Sequence, residues 1–214
     1  MAILSRILTA VAPWLLAAAM LGGCASGMDK DQCVAADWRT IGYEDGLHGL
    51  PADRIGVHRA ECAKHHVTPN LVAYSEGREH GLHEYCQPKN GFRAGLSGYG
   101  YANVCSGVAE AAFVGSYRYG RQIHEARTEL RSTQARLHSA REGVARADTA
   151  IVNVTAELVQ PRVSSDRRAW LASELVRLTQ ERTDLVARID QLTHRTQELA
   201  LNVQQLERQS PYPL

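Results

Sequence analysis

The sequence predicts an all-α chain: a small disulfide-stapled helical module followed by a long antiparallel helical hairpin of coiled-coil type. Three observations carry this. Residues 121–209 place apolar residues every seven positions, with Gly143 as their single glycine and no tyrosine or cysteine. Residues 37–120 are instead rich in Gly, Tyr and His and carry Cys62, Cys86 and Cys105, with Cys33 just ahead of them. Glycines in that half recur four apart, at Gly42 and Gly46, Gly77 and Gly81, Gly91 and Gly95. That spacing sets them one turn apart on one helix face.

The chain begins with Arg6, an apolar run from Ile7 to Leu21, and the small residues before Cys24. Charge, apolar run and small residues, in that order, form a secretory signal over residues 1–23. The apolar part is short for a membrane span, and Pro13 interrupts it. Leu21-Gly22-Gly23-Cys24 resembles the lipobox of bacterial lipoproteins. The resemblance implies cleavage before Cys24, a covalent lipid on its sulfur and an acylated amine. Several acyl chains make such attachment effectively permanent. Ala25, rather than Asp, follows the cysteine. In lipoproteins of this kind that implies sorting to the outer membrane, here facing the periplasm. Residues 24–36 read as the lipidated cysteine and a short polar tether.

Removing residues 1–23 removes Arg6 and no acid, which takes the formal charge from +1 to zero. A neutral mature chain lacks the sustained basic face that nucleic acid or anionic lipid binding requires. The expected partners are therefore the membrane, through the lipid, and another envelope protein or a second copy of the chain.

Cys33, Cys62, Cys86 and Cys105 form an even set, which in an oxidising compartment suggests two disulfides. Three connectivities are open. Helix geometry favours Cys33 with Cys62 and Cys86 with Cys105. Cys33 stands before a helix starting near Asp37, Cys62 near the end of a helix over 52–65, and those ends meet in an antiparallel pair. The glycine spacing is part of a degenerate internal repeat. Trp38 precedes Gly42, Gly46 and Leu47; Tyr74 precedes Gly77, Gly81 and Leu82; Gly91, Gly95 and Leu96 follow; a weaker copy ends at Tyr117, Tyr119 and Gly120. A glycine in a helix interior costs up to about 1 kcal/mol, so close packing must compensate. Trp38, Tyr74, Tyr85 and Tyr99 are expected to cover the glycine faces. Small β-hairpins are the alternative, but apolar–polar alternation is not sustained. Asn70, after Pro69, reads as a helix cap.

Beyond Gly120 the pattern is a heptad seam. Ile123, Leu130, Leu137, Val144, Ile151 and Leu158 recur every seven, with Ala126, Thr133, Ala140, Ala147 and Val154 three places after the first five. Pro161 ends that helix. Ser164 or Ser165 can cap the next, with Asp166 near its positive end. Leu171, Leu178, Leu185, Leu192, Leu199 and Leu206 then recur every seven, and Leu175, Arg182, Ile189, Thr196 and Val203 supply the other seam position. About forty-four residues at 1.5 Å give a rod of roughly 65 Å. A short loop between two such rods makes an antiparallel hairpin, with residues 210–214 as a tail. The seam leucines, with Leu130, Leu137 and Leu158 opposite, form its interface; Arg182 and Thr196 at seam positions leave room for another partner.

The order Cys33, Asp37-Trp38, Gly42 to Gly46, His58, Cys62, Tyr74, Gly77-Arg78, Gly81-Leu82, Tyr85-Cys86, Gly91 to Gly95, Tyr101, Cys105 and Tyr119-Gly120-Arg121 resembles a family of proteobacterial lipoproteins of unknown function, the domain-of-unknown-function family numbered 2799. The likeness covers about Cys24 to Glu125. It implies an envelope location and the four-cysteine module, and it brings no activity with it.

No catalytic signature stands out, and no cofactor beyond the lipid is expected. His65, His80 and His83 offer a weak metal-ligand set by their two-residue spacings to each other or to cysteine, but cysteines in this compartment are better used in disulfides. His58 with Glu61, or Glu76 with Glu79 and Glu84, could serve as acid and base. Asp37, Trp38, Tyr43 and Asp45 are candidates for a surface site, against a plainer reading of Trp38 and Tyr43 as core and Asp37 as a cap. The expected function is structural or adaptor-like in the cell envelope. The alternative is a small metal-binding or enzymatic module that uses the hairpin to oligomerise.

Overall fold

The computed structural model describes residues 27–214; the expected signal sequence and the expected lipidation site, Cys24, lie outside them. Among the described residues there are helices and no strands, which removes the β-hairpin alternative. None of these helices is long and apolar enough to cross a membrane. The chain divides into two compact units, one running to Tyr85 with Ala102–Val104, the other comprising Cys86–Tyr101 and Cys105–Leu214.

The first unit contains α1 (Lys30–Val34), α2 (Trp38–Leu47), α3 (Arg54–Ala63) and α4 (Leu71–Tyr85). Asp29 and Gln32 form a capping box that starts α1. The second half of the expected tether is therefore helical, with Cys33 buried in it. The Asp37 carboxylate accepts the N–H groups of Arg39 and Thr40 and so starts α2. Asn70 Oδ1 accepts from the Ala73 N–H at 3.1 Å at the start of α4.

The packed pair is α2 with α4, and the two run parallel. Gly42 lies against the Tyr74 carbonyl and Gly46, one turn on, against that of Arg78; Gly77 lies against Arg39 and Gly81 against Tyr43. A Cβ at any of the four would overlap the partner's backbone. Glycine thus permits an approach that lets Cα–H groups meet facing carbonyls. Parallel neighbours need a returning segment, which α3 supplies. Cys33 and Cys62 are bonded, with Cα atoms 5.5 Å apart, where α3 has brought the chain back to the start of α2. Around that bond Trp38 and Tyr74 are buried, with Met28, Ile41 and Ile55 packed on them.

The second unit contains α5 (Pro88–Leu96), α6 (Gly107–Leu158) and α7 (Ser165–Arg208). Pro88 opens α5, where its missing N–H costs nothing. A Cys86–Cys105 bond sits just ahead of α5 and α6. The composition change near Gly120 is not a structural break, since α6 runs through it without interruption. Gly120 packs against α5, and three residues later Ile123 begins the seam.

The glycine faces are covered by backbone rather than by rings, which corrects the expected aromatic cover. Tyr74 meets Gly42 through its carbonyl, and Tyr99 is 71% exposed. Of the four expected rings, only Tyr85 lies over a glycine, Gly49.

The hairpin of α6 and α7 is antiparallel. α6 stops ahead of Pro161, and Ser164 caps α7 by accepting from the Arg167 N–H. Leu137, Leu171, Leu178 and Leu199 are buried, while Leu130, Leu158, Leu185, Leu192 and Leu206 are half-buried. Small residues on α6 (Ala126, Thr133, Ala140, Ala147) are buried opposite them, and the Leu185 side chain rests on Gly143. Arg182 does not enter the core. It is exposed and pairs with Asp148 at 2.5 Å, because a guanidinium at a seam position can reach water past its own stem. Further cross-arm pairs, Arg195–Glu129 and Arg127–Glu207, help set the register. Such exposed pairs contribute at most about 1 kcal/mol each; the leucines supply most of the adhesion.

Candidate functional site

The two helix pairs are copies of one motif. Adding 49 to a residue of α2 gives its counterpart in α5, and adding 39 to a residue of α4 gives its counterpart in α6. Gly42 on the Tyr74 carbonyl becomes Gly91 on that of Phe113; Gly46 on Arg78 becomes Gly95 on Tyr117; Gly81 on Tyr43 becomes Gly120 on Phe92. The turn after the first helix repeats as well. Gly49 (φ 64°) lies under Tyr85 and Gly98 (φ 77°) under His124; both need the left-handed backbone that glycine adopts freely. Arg78 donates to the Leu50 carbonyl at 2.8 Å, and Tyr117 donates to the equivalent Tyr99 carbonyl at 2.9 Å.

Against this shared frame the first pair carries polar groups that the second lacks. Asp45 on α2 is buried, and its Oδ2 accepts from the Tyr74 hydroxyl of α4 at 2.7 Å. The same oxygen faces His58 Nε2 of α3 at 3.0 Å. His58 lies between the rings of Trp38 and Tyr74, and its Nδ1 is 3.9 Å from Glu61 Oε2. Burial, reinforced by the bond to Asp45, pushes the Tyr74 hydroxyl well above the usual phenol range. In the second pair the counterparts of Asp45 and Tyr74 are Ala94 and Phe113, and Tyr101 packs on Phe113 at 4.9 Å. The motif thus folds with or without the polar trio. In the first pair the trio joins three helices through one carboxylate.

The outer face of the first pair is an open groove of about 530 Å3, lined by Arg39, Thr40, Tyr43, His80, His83 and Glu84. The Tyr43 hydroxyl donates to Glu84 at 3.0 Å, a bond that raises its pKa above the ordinary phenol value. Arg39 is ion-paired with Glu76.

The surface set read from the sequence is split. Asp37 is an exposed cap and Tyr43 lines the groove, while Trp38 and Asp45 are buried. Glu76 and Glu84 engage Arg39 and Tyr43 rather than converging with Glu79 on one centre. His65 sits in the turn after α3, and His80 and His83 lie exposed on α4. Among the described residues no group of three His, Cys, Asp or Glu side chains is placed to hold a metal ion. The Asp45–His58–Tyr74 contact escaped the sequence reading, which paired His58 with Glu61 alone. Its signal was available: Trp38, Gly42, Asp45 and Gly46 share a helix face, so an acid lay on the face that must be buried.

No curated protein and no solved structure matches the chain. Residues 37–122, the stretch that holds both helix pairs, match the family model described as a protein of unknown function, DUF2799, which is the family that the motifs of this segment resemble.

Proposed function

We propose that this chain is an outer-membrane lipoprotein, anchored through acylated Cys24 and facing the periplasm, with a structural or adaptor role exerted through its hairpin. The leader and the small residues before Cys24 support the anchor. One observation carries the hairpin role. In mid-rod, between buried Leu178 and Leu199, the seam residues Leu185, Ile189 and Leu192 remain half-exposed. Two helices alone cannot enclose that stretch, and a third or fourth would complete it, as in helical bundles. The groove beside Leu185 is lined by Arg136, Arg146 and Arg188 with Glu181.

The test combines lipid labelling with crosslinking in cells. Labelled palmitate should enter the wild type and not the Cys24→Ser variant. Crosslinking should join the hairpin to an envelope protein or to a second copy. The Leu185→Glu, Leu192→Glu double variant should lose that product while its helical content is retained. Capture that survives the double variant rules out the hairpin as the adaptor surface.

A further inference from the structure

The duplicated motif shows what one of its faces is built to hold. In the second pair the outer face is covered by this chain's own carboxyl-terminal segment. Phe92 packs against the Tyr212 ring, tilted by 39° with centroids 5.1 Å apart. Tyr119 donates its hydroxyl to the Leu206 carbonyl at 2.7 Å. Ile123 is fully buried. The counterparts of Phe92, Tyr119 and Ile123 in the first pair are Tyr43, His80 and Glu84. These three line the open groove, and His80 and Glu84 are exposed.

We infer that this groove is a docking site for a peptide segment of a partner protein, one that carries an aromatic side chain and offers a backbone carbonyl beside it. The occupant is specified by the covered copy. Its ring lies over Tyr43 as Tyr212 lies over Phe92, and its carbonyl takes a hydrogen bond from His80 as Leu206 takes one from Tyr119. Such an aromatic pair adds attraction beyond the buried area. The site's polar lining sets it apart from its copy. Glu84, which already accepts from Tyr43, replaces the buried Ile123, and this chain's own carboxyl-terminal segment is a poor match there. That segment is also held in the second unit: Tyr119 and Arg127 hold the end of α7 through Leu206 and Glu207, and Phe92 holds Tyr212 in the tail. α4 ends at Tyr85, so the face is short.

This site is separate from the proposed hairpin surface, and its test separates them. A photoreactive benzoylphenylalanine replaces exposed His83 at the groove wall, in the full chain, in cells, and the adduct is digested and sequenced. The expected adduct is a peptide of another protein with Tyr, Phe or Trp within a few residues of the crosslink. Its yield should fall at least fivefold with Tyr43→Ala and return with Tyr43→Phe, because phenylalanine makes the ring contact in the second copy. It should persist in the Leu185→Glu, Leu192→Glu background. An adduct only to lipid or only to a second copy overturns the inference, as does the absence of an adduct or a yield indifferent to Tyr43→Ala. Thiol titration of each variant, showing four bonded cysteines, keeps misfolding from imitating a loss.

Discussion

Asp45 and Tyr74 share a 2.7 Å hydrogen bond in the core of the first helix pair, at positions where the second pair holds Ala94 and Phe113. The duplicate therefore supplies the apolar solution to the same packing problem. Tyr74→Phe alone leaves Asp45 with His58 as its remaining partner in the trio and should cost about 1–3 kcal/mol, the usual penalty for a buried group losing its partner. Asp45→Ala combined with Tyr74→Phe should cost less than the sum of the single changes, because the lost partners were each other's. Urea unfolding of the four proteins measures the coupling; strict additivity would show that the bond contributes nothing.

The glycines separate into two kinds, and substitution should tell them apart. Alanine at Gly77 or Gly95 drives a methyl into the facing backbone and should destabilise by about 1–3 kcal/mol or more, the overpacking range. Gly56 and Gly115 sit within helices with open space where a Cβ would lie. Alanine there should stabilise by about 0.4–1 kcal/mol through the unfolded chain. Thermal melts of the four variants should fall on opposite sides of the wild type.

Thr196 sits at a seam position of α7 with its hydroxyl buried and without a hydrogen-bond partner. Thr196→Val keeps the shape and removes the stranded group, so it should stabilise the hairpin by about 1 kcal/mol. Leu171, fully buried in the same seam, should show the opposite response. Leu171→Ala is expected to cost about 2–5 kcal/mol.

Acid should loosen the start of α2. Hydrogen bonds from the Thr40 side chain and backbone, opposed in part by desolvation, hold the Asp37 carboxyl below its ordinary value of 3.8. A depressed folded value means that the cap's contribution is complete above that ordinary value and is lost as pH falls through the lower, folded one. Asp37→Asn keeps an accepting oxygen but does not titrate. Its stability between about pH 5 and 2 should change less than that of the wild type, read by thermal melts across that range.

The elements differ in how far sequence alone reveals them. The hairpin was legible because its rule is local and periodic: leucine every seven residues, a proline stop, a serine cap. Cap residues such as Asp37 and Asn70 were legible for the same reason, since each acts within its own first turn. Partner choice was not. Glycines four apart announce a closely approached face without saying which helix approaches, and α2 meets α4 rather than its sequence neighbour α3. The composition change at Gly120 misled because composition records surroundings, whereas a helix needs only unbroken backbone bonding. Of the candidate site, the acid on the buried face of α2 was visible, but its two partners lie on other helices and no spacing rule joins them.

The two cystines are consecutive in the chain: Cys33 closes on Cys62 before Cys86 is reached, and Cys86 then closes on Cys105. Neither loop encloses a foreign cysteine. As the polypeptide is made or threaded from its amino end, each of these four thiols finds its mate as the next of the four to emerge. Oxidation in order of arrival yields the native bonds directly, with no need for an isomerase to reshuffle them.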